Sequence, residues 1–222
     1  MHMTERVDPR NYIITRKRKK YRFAKFCNAR NCYEVAEWKK APADVIEVGA
    51  GTGLFSAQIA RRHPRARVIA IDVKGDRLQK GAYYALENNI PNVSFIRARA
   101  DQIGDLLNAH SVRELWITFP DPFPKKRSEG RRLTHATFLK CYQRLLIPTG
   151  LLHLKHDNQE FFEWSKQQLV DNGWRIVTET NDLHASLSDD DAYTMTTYEQ
   201  RWLGEGRKVH YLSARLVHGE VQ

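Results

Sequence analysis

The sequence predicts an α/β fold, a doubly wound and mostly parallel Rossmann-like sheet, and three observations carry that expectation. Short β-branched runs alternate along the chain with segments of helical periodicity. The first of these runs ends in a glycine turn, "VGAGTG", and acidic side chains close three successive runs. Strands alternating with helices imply right-handed crossovers, hence parallel neighbours and helices on both faces of one sheet.

In chain order, residues 16–30, "RKRKKYRFAKFCNAR", are basic without a single acid and interleave Tyr21, Phe23 and Phe26. Cationic and aromatic side chains so mixed suit RNA contact, which is preferred to the plainer reading of a solvated tail. Residues 1–33 are therefore expected to be a basic, flexible N-terminal segment, and residues 34–222 a single domain. "DVIEVG" (44–49) is a strand that runs into the glycines, and "LFSAQIARRH" carries Phe55, Ile59 and Ala60 on one helical side. "RVIAID" is followed by "GDRLQKGAYYALENN", "VSFIRA" by "DQIGDLL", "ELWITF" by "HATFLKCYQRLLI", and "LLHLKH" by "EFFEWSKQQLVDNG", each pair a strand and then a helix. "WRIVTET" and "KVHYLSARL" read as two closing strands around a polar loop, "NDLHASLSDDDAYT".

The chain has 222 residues, 41% of them apolar, which suits one core. Lys and Arg number 36 against 26 Asp and Glu, a net charge of +10 that favours a polyanionic partner. Cys27, Cys32 and Cys141 are odd in number and lack C-x-x-C spacing, so neither a disulfide framework nor a metal site is expected, and a reducing cytoplasm fits. No apolar run approaches the roughly 20 residues that span a bilayer, so no membrane partner is expected.

Gly49, Gly51 and Gly53 stand where the backbone must turn tightly beside a ligand. A dinucleotide fingerprint would need a further glycine where Leu54 stands, which disfavours a nicotinamide-dependent oxidoreductase. Glu47 precedes the turn on a strand expected to be buried on both faces, an awkward place for a purely structural carboxylate. Asp72 ends the second strand at the spacing that meets ribose hydroxyls, and Asp101 follows the third. Carboxylates gathered in one crevice suit S-adenosylmethionine, whose sulfonium and ammonium outnumber its single carboxylate. The sheet is then expected to be of the class I S-adenosylmethionine-dependent methyltransferase type.

After the fourth strand, "FPDPFPKKRSEGRR" holds Asp121 between prolines that fix φ and lack amide donors, a stiff mount beside the crevice. Lys125, Lys126, Arg127, Arg131 and Arg132 follow and are expected to form a cationic rim for phosphates. "PDPFPKKR" with "RRLT", "KHDN" at 155–158, "DLH" at 182–184 and "TTYE" at 196–199 resemble the bacterial tRNA (guanine-N7-)-methyltransferase family. The resemblance runs from about Val45 to Leu216. It implies methyl transfer from S-adenosylmethionine to N7 of a guanine in the tRNA variable loop, position 46 in tRNA numbering. It further implies that Glu47, Asp72, Asp101 and Asp121 contact the donor, that Asp121 is catalytic, and that Lys125, Asp157, Thr196, Thr197, Tyr198 and Glu199 meet the tRNA. Phe123 stands where the family usually has tryptophan, Ser128 and Gly130 where it has His and Lys, His156 where it has Thr, and Asp72 where it commonly has Glu. A monomer or a homodimer is compatible with all of this.

Two other functions remain open on the sequence. An RNA methyltransferase acting on an exocyclic amino group also carries an Asp-Pro loop after the fourth strand, but prefers a D-P-P-Y order to the D-P-F-P found here. A non-catalytic RNA-binding protein could keep the fold as a scaffold, although an intact set of acids argues against it. Tyr83, Tyr84 and Trp116 are expected to belong to the core, and His135 and His153 to be satisfied structural histidines, none with a role in the reaction.

Overall fold

The computed structural model describes residues 17–185, 191–196, 199 and 204–217. Its eight strands form one sheet: β1 (Cys32–Glu34), β2 (Val45–Val48), β3 (Val68–Asp72), β4 (Val93–Arg97), β5 (Val112–Thr118), β6 (Leu146–His156), β7 (Trp174–Thr180) and β8 (His210–Leu216). The order across the sheet is β1-β4-β3-β2-β5-β6-β8-β7. All pairings from β1 to β6 are parallel, and β8 runs antiparallel between β6 and β7. From β2 the chain steps outward to β3 and β4, then returns to β5 on the other side. The switch therefore falls between β2 and β5, where open α/β sheets form their ligand crevice.

Alternation along each strand divides the apolar side chains between two cores. Val45, Val68, Ala70 and Phe95 face helices α1 (Lys17–Asn28), α2 (Leu54–Arg62) and α3 (Gly75–Glu87). Ile46, Val48, Ile69, Ile71 and Ile96 face the side of α4 (Ile103–Leu106), α5 (Ala136–Leu145) and α6 (Gln159–Asp171). Trp116 is 1% exposed and stacks on His153 with ring centroids 4.0 Å apart, so this pair belongs to the core, as its apolar setting in the sequence implies. Burial holds His153 down at about 3, so the ring is neutral and serves packing. His135 accepts a hydrogen bond from the Thr137 amide as the N-cap of α5.

Within the N-terminal basic segment the described residues begin at Lys17. Residues 17–28 form a helix whose Ala24 and Phe26 are buried, Phe26 against Gly75 of α3, and residues 32–34 add an edge strand to β4. The apolar spacing of Phe23, Phe26 and Cys27 supplies the buried stripe, while Arg18, Lys19, Arg22 and Lys25 stay exposed. Among the described residues no helix is long and apolar enough to cross a membrane.

Candidate active site

The carboxyl ends of β2, β3 and β5 open into a cleft of about 750 Å³, a size suited to a small organic ligand. Its wall includes Glu47, Gly49, Gly51, Asp72, Asp101, Asp121, Asp157 and Thr196. The expected acids therefore do converge. The glycine turn shapes one side: Gly49, at φ 77°, leaves room where a Cβ would stand 2.8 Å from Leu133 Cδ1. Gly53, at φ 68°, caps α2 beneath the cleft, and a Cβ there would lie 2.5 Å from Phe95. Gly53 makes the turn possible without lining the cavity itself.

Glu47 is 1% exposed, and both its oxygens are engaged: Ser56 Oγ donates to Oε2 at 2.5 Å and Thr118 Oγ1 to Oε1 at 2.6 Å. Burial nevertheless pushes its carboxyl up to about 7. The protonated form is thus favoured by folding, so the stability it confers is complete below the usual 4.5 and is lost as pH rises towards 7. In the ligand-free protein at pH 8, Glu47→Gln is expected to add on the order of 3 kcal/mol to the unfolding free energy, the gain vanishing in acid. Urea denaturation at pH 4 and pH 8 checks this, and a variant equally or less stable at pH 8 refutes it.

Asp72 Oδ2 accepts from the Gly51 amide at 2.8 Å and Oδ1 from the Lys74 amide at 2.8 Å, tying the glycine turn to β3. Burial raises its carboxyl, opposed by those two amides and by Lys74 and Arg77. Asp101 sits at the exposed rim in an ion pair with Arg99, whose hydrogen bonds hold the carboxyl below its usual value. Lys74, Arg77 and Arg99 also line the cleft, cations that the sequence reading did not assign to it. They offset Asp72 and Asp101, and Arg131 lines the same cleft as Asp121.

Asp121 lies exposed on a wall made by residues 119–123. Phe119 at φ 48° and Phe123 at φ 40° flank it in the left-handed region, where a bulky residue costs about 1–3 kcal/mol and persists only if its surroundings hold it. On one side Phe119 N donates to the Lys155 carbonyl at 2.9 Å. Next to it the buried His156 holds Pro120 O at 3.0 Å through Nε2, while its Nδ1 accepts from Asn158 N at 2.8 Å. A ring that accepts at one nitrogen and donates at the other is neutral, in line with the lowering of its pKa by burial.

The expected cationic rim is smaller than the sequence suggested. Lys125, Lys126, Arg127 and Arg131 are exposed, and Lys125 stands outside the cavity wall. Arg132, in contrast, is 7% exposed and turned inward: Nε donates to Pro122 O at 2.9 Å and a terminal nitrogen to Phe123 O at 3.1 Å. Its guanidinium lies 4.2 Å from the Trp164 ring centroid, a shelf provided by α6.

Asp157 reaches the cleft from the end of β6, with Oδ2 3.2 Å from Arg207. Glu199, expected to face the substrate, is instead 0% exposed and absent from the wall. Its Oε1 meets Lys155 Nζ at 3.0 Å, and its Oε2 accepts the Thr196 amide at 2.6 Å. Thr196 Oγ1 accepts the Glu199 amide in return at 3.1 Å. These reciprocal bonds are those of a capping box, which the T-x-x-E spacing spells and which fixes Thr196 in the cleft wall. Thr197 and Tyr198 lie outside the described residues. Ser56, Thr118, Lys155 and His156 are the supporting residues that the sequence reading missed. Among the described residues no group of His, Cys, Asp or Glu is placed to hold a metal ion.

A family model described as "Putative methyltransferase" matches residues 41–212. The tRNA (guanine-N(7)-)-methyltransferase of Mesomycoplasma hyopneumoniae (strain 7448) is 37% identical over 180 residues, spanning 81% of this chain and 89% of the relative. That of Brevibacillus brevis is 34% identical over 173 residues, 78% of this chain and 80% of the relative. Among solved structures, the 16S rRNA methyltransferase KamB superposes with a TM-score of 0.60 at 17% identity, covering 82% of this chain and 90% of that one. A SAM-dependent methyltransferase from Aquifex aeolicus gives 0.56 at 16% identity, covering 80% and 84%. With a family model over most of its length and close relatives across most of theirs, the chain belongs to the tRNA (guanine-N(7)-)-methyltransferase family.

Proposed function

We propose that this protein transfers a methyl group from S-adenosylmethionine to N7 of a guanine in tRNA, the variable-loop guanine at position 46, and that it does so in the cytoplasm. The observation that carries the reading is the convergence of Glu47, Asp72 and Asp121 on one cleft at the switch between β2 and β5. A cleft lined by the carboxyl groups of Glu47, Asp72, Asp101 and Asp121 suits a cationic donor. When bound, S-adenosylmethionine supplies an electrophilic methyl group on a sulfonium. Glu47, the Gly49–Gly51 turn and Asp72 would hold it, with Asp101 at the rim.

Guanine N7 presents an in-plane lone pair and carries no hydrogen, so its attack needs no general base. Positive charge develops on the purine instead, and Asp121 stabilises it electrostatically. Asp157 and Thr196, with Thr197 and Tyr198, would position the nucleotide, while Glu199 acts through Thr196. The target base must leave its place in the folded tRNA, at a cost of a few kcal/mol that phosphate contacts offset. Lys125 and Arg131, the exposed basic face of α1 and the net charge of +10 supply those contacts.

Incubation with labelled donor and unmodified tRNA, followed by chain cleavage at N7-methylguanine, tests the reaction. Label on an exocyclic amino group would refute it. Lys125→Glu and Arg131→Glu are each expected to weaken tRNA binding and to lower the slope of log K against log salt by about 1. Filter binding between low and moderate salt reads this, and an unchanged slope would remove both residues from the phosphate path.

A further inference from the structure

The Pro120, Pro122 and Pro124 positions have no amide hydrogen, so the segment carrying Asp121 offers few donors and must be gripped by its carbonyl oxygens. Two side chains from elsewhere do so. His156 takes the Pro120 oxygen, and Arg132 takes the oxygens of Pro122 and Phe123, one clamp on each side of Asp121. Arg132 is suited to the task because a planar guanidinium can donate to two carbonyls at once while stacking on an aromatic face. The Trp164 ring beneath it, and the Thr134 to Ser165 hydroxyl pair at 2.8 Å, fasten the following segment to α6. Glu129 lies 3.8 Å from the guanidinium and completes its surroundings.

We propose that Arg132 is a positioning residue for Asp121: it sets the carboxylate at the reacting centre by holding the next two peptide oxygens, and it does not bind tRNA phosphate. This inference rests on the reaction proposed above. It separates Arg132 from the basic residues around it, which stay exposed. Its charge is spent inside the protein.

The test compares wild type, Arg132→Met, Arg132→Lys and Trp164→Leu in single-turnover methylation with saturating donor and unmodified tRNA. Donor affinity by calorimetry and the salt slope of tRNA binding are measured alongside. Arg132→Met is expected to lower the rate on the order of 10²-fold, the effect of a misplacement of about 1 Å, with donor affinity and salt slope unchanged. Arg132→Lys keeps the charge but cannot hold both oxygens on the ring, so it should recover only a minor part of the rate. Trp164→Leu removes the shelf alone and should lower the rate less than Arg132→Met.

An unchanged rate in Arg132→Met overturns the proposal, as does full recovery by Arg132→Lys. So does a salt slope smaller by about 1, which would make Arg132 a phosphate ligand after all, or a parallel loss of donor affinity. If Arg132→Met does not fold, Trp164→Leu carries the test, and its wild-type rate overturns the clamp. Absence of N7-methylguanine with the wild-type chain would instead strike the proposed function, so the two failures are told apart.

Discussion

Asp121→Asn is expected to lower the single-turnover methylation rate by about 10²–10³-fold while weakening donor affinity far less, the range seen when one preorganised electrostatic group is removed from a transition state. The substitution keeps size and shape and deletes only charge. The backbone around it is held independently by His156 at Pro120 and by Arg132 at Pro122 and Phe123, so the loop should keep its place. What is lost is the negative charge facing a purine that becomes cationic as N7 takes the methyl group. Donor binding loses less, because Glu47 and Asp72 are mounted on other strands and stay in place. Rapid-quench kinetics with saturating tRNA, together with donor titration, check both halves. A variant that methylates normally but binds donor weakly would make Asp121 a binding residue only.

Much of this site was legible in the sequence because its parts are local. The glycine turn needs left-handed backbone at Gly49, Gly51 and Gly53, and few other residue types take it readily. The acids Glu47, Asp72 and Asp121 lie at or just beyond strand ends, so predicting parallel strands already brings them to one edge. Residues whose role depends on a distant partner were not legible. Arg132 reads as one more member of a basic run, and only the folded path shows that carbonyls ten and nine residues earlier consume its donors. Glu199 shows the limit from the other side: within "TTYE" it was expected to meet the tRNA, whereas it pairs with a lysine near the end of the "LLHLKH" strand. Lysine is seldom buried, and nothing in "LLHLKH" distinguishes this one. The N-terminal helix escaped notice because its charges outnumber its apolar stripe, and β1 because three residues carry too little periodicity.

Lys155→Met is expected to be the most destabilising substitution near the site, costing about 3–5 kcal/mol, as removal of one partner of a buried ion pair does. Lys155 and Glu199 are both 0% exposed, and Lys155 Nζ also donates to the Thr194 carbonyl at 2.9 Å. Without the ammonium, the buried Glu199 keeps, among the described residues, only His184, with Nε2 3.3 Å from Oε1, and the Thr196 amide as partners, and its segment is free to pull away from β6. That movement would also remove Thr196 from the cleft wall, so methylation should fall along with stability. The double substitution Lys155→Met with Glu199→Gln separates packing from charge, since replacing a buried pair by uncharged groups of similar volume is often close to neutral. Urea unfolding should show the double variant recovering most of what the single one loses, because the penalty arises from a stranded carboxylate rather than from a missing contact. If single and double variants are equally unstable, the ammonium's bond to the Thr194 carbonyl outweighs its pairing with Glu199.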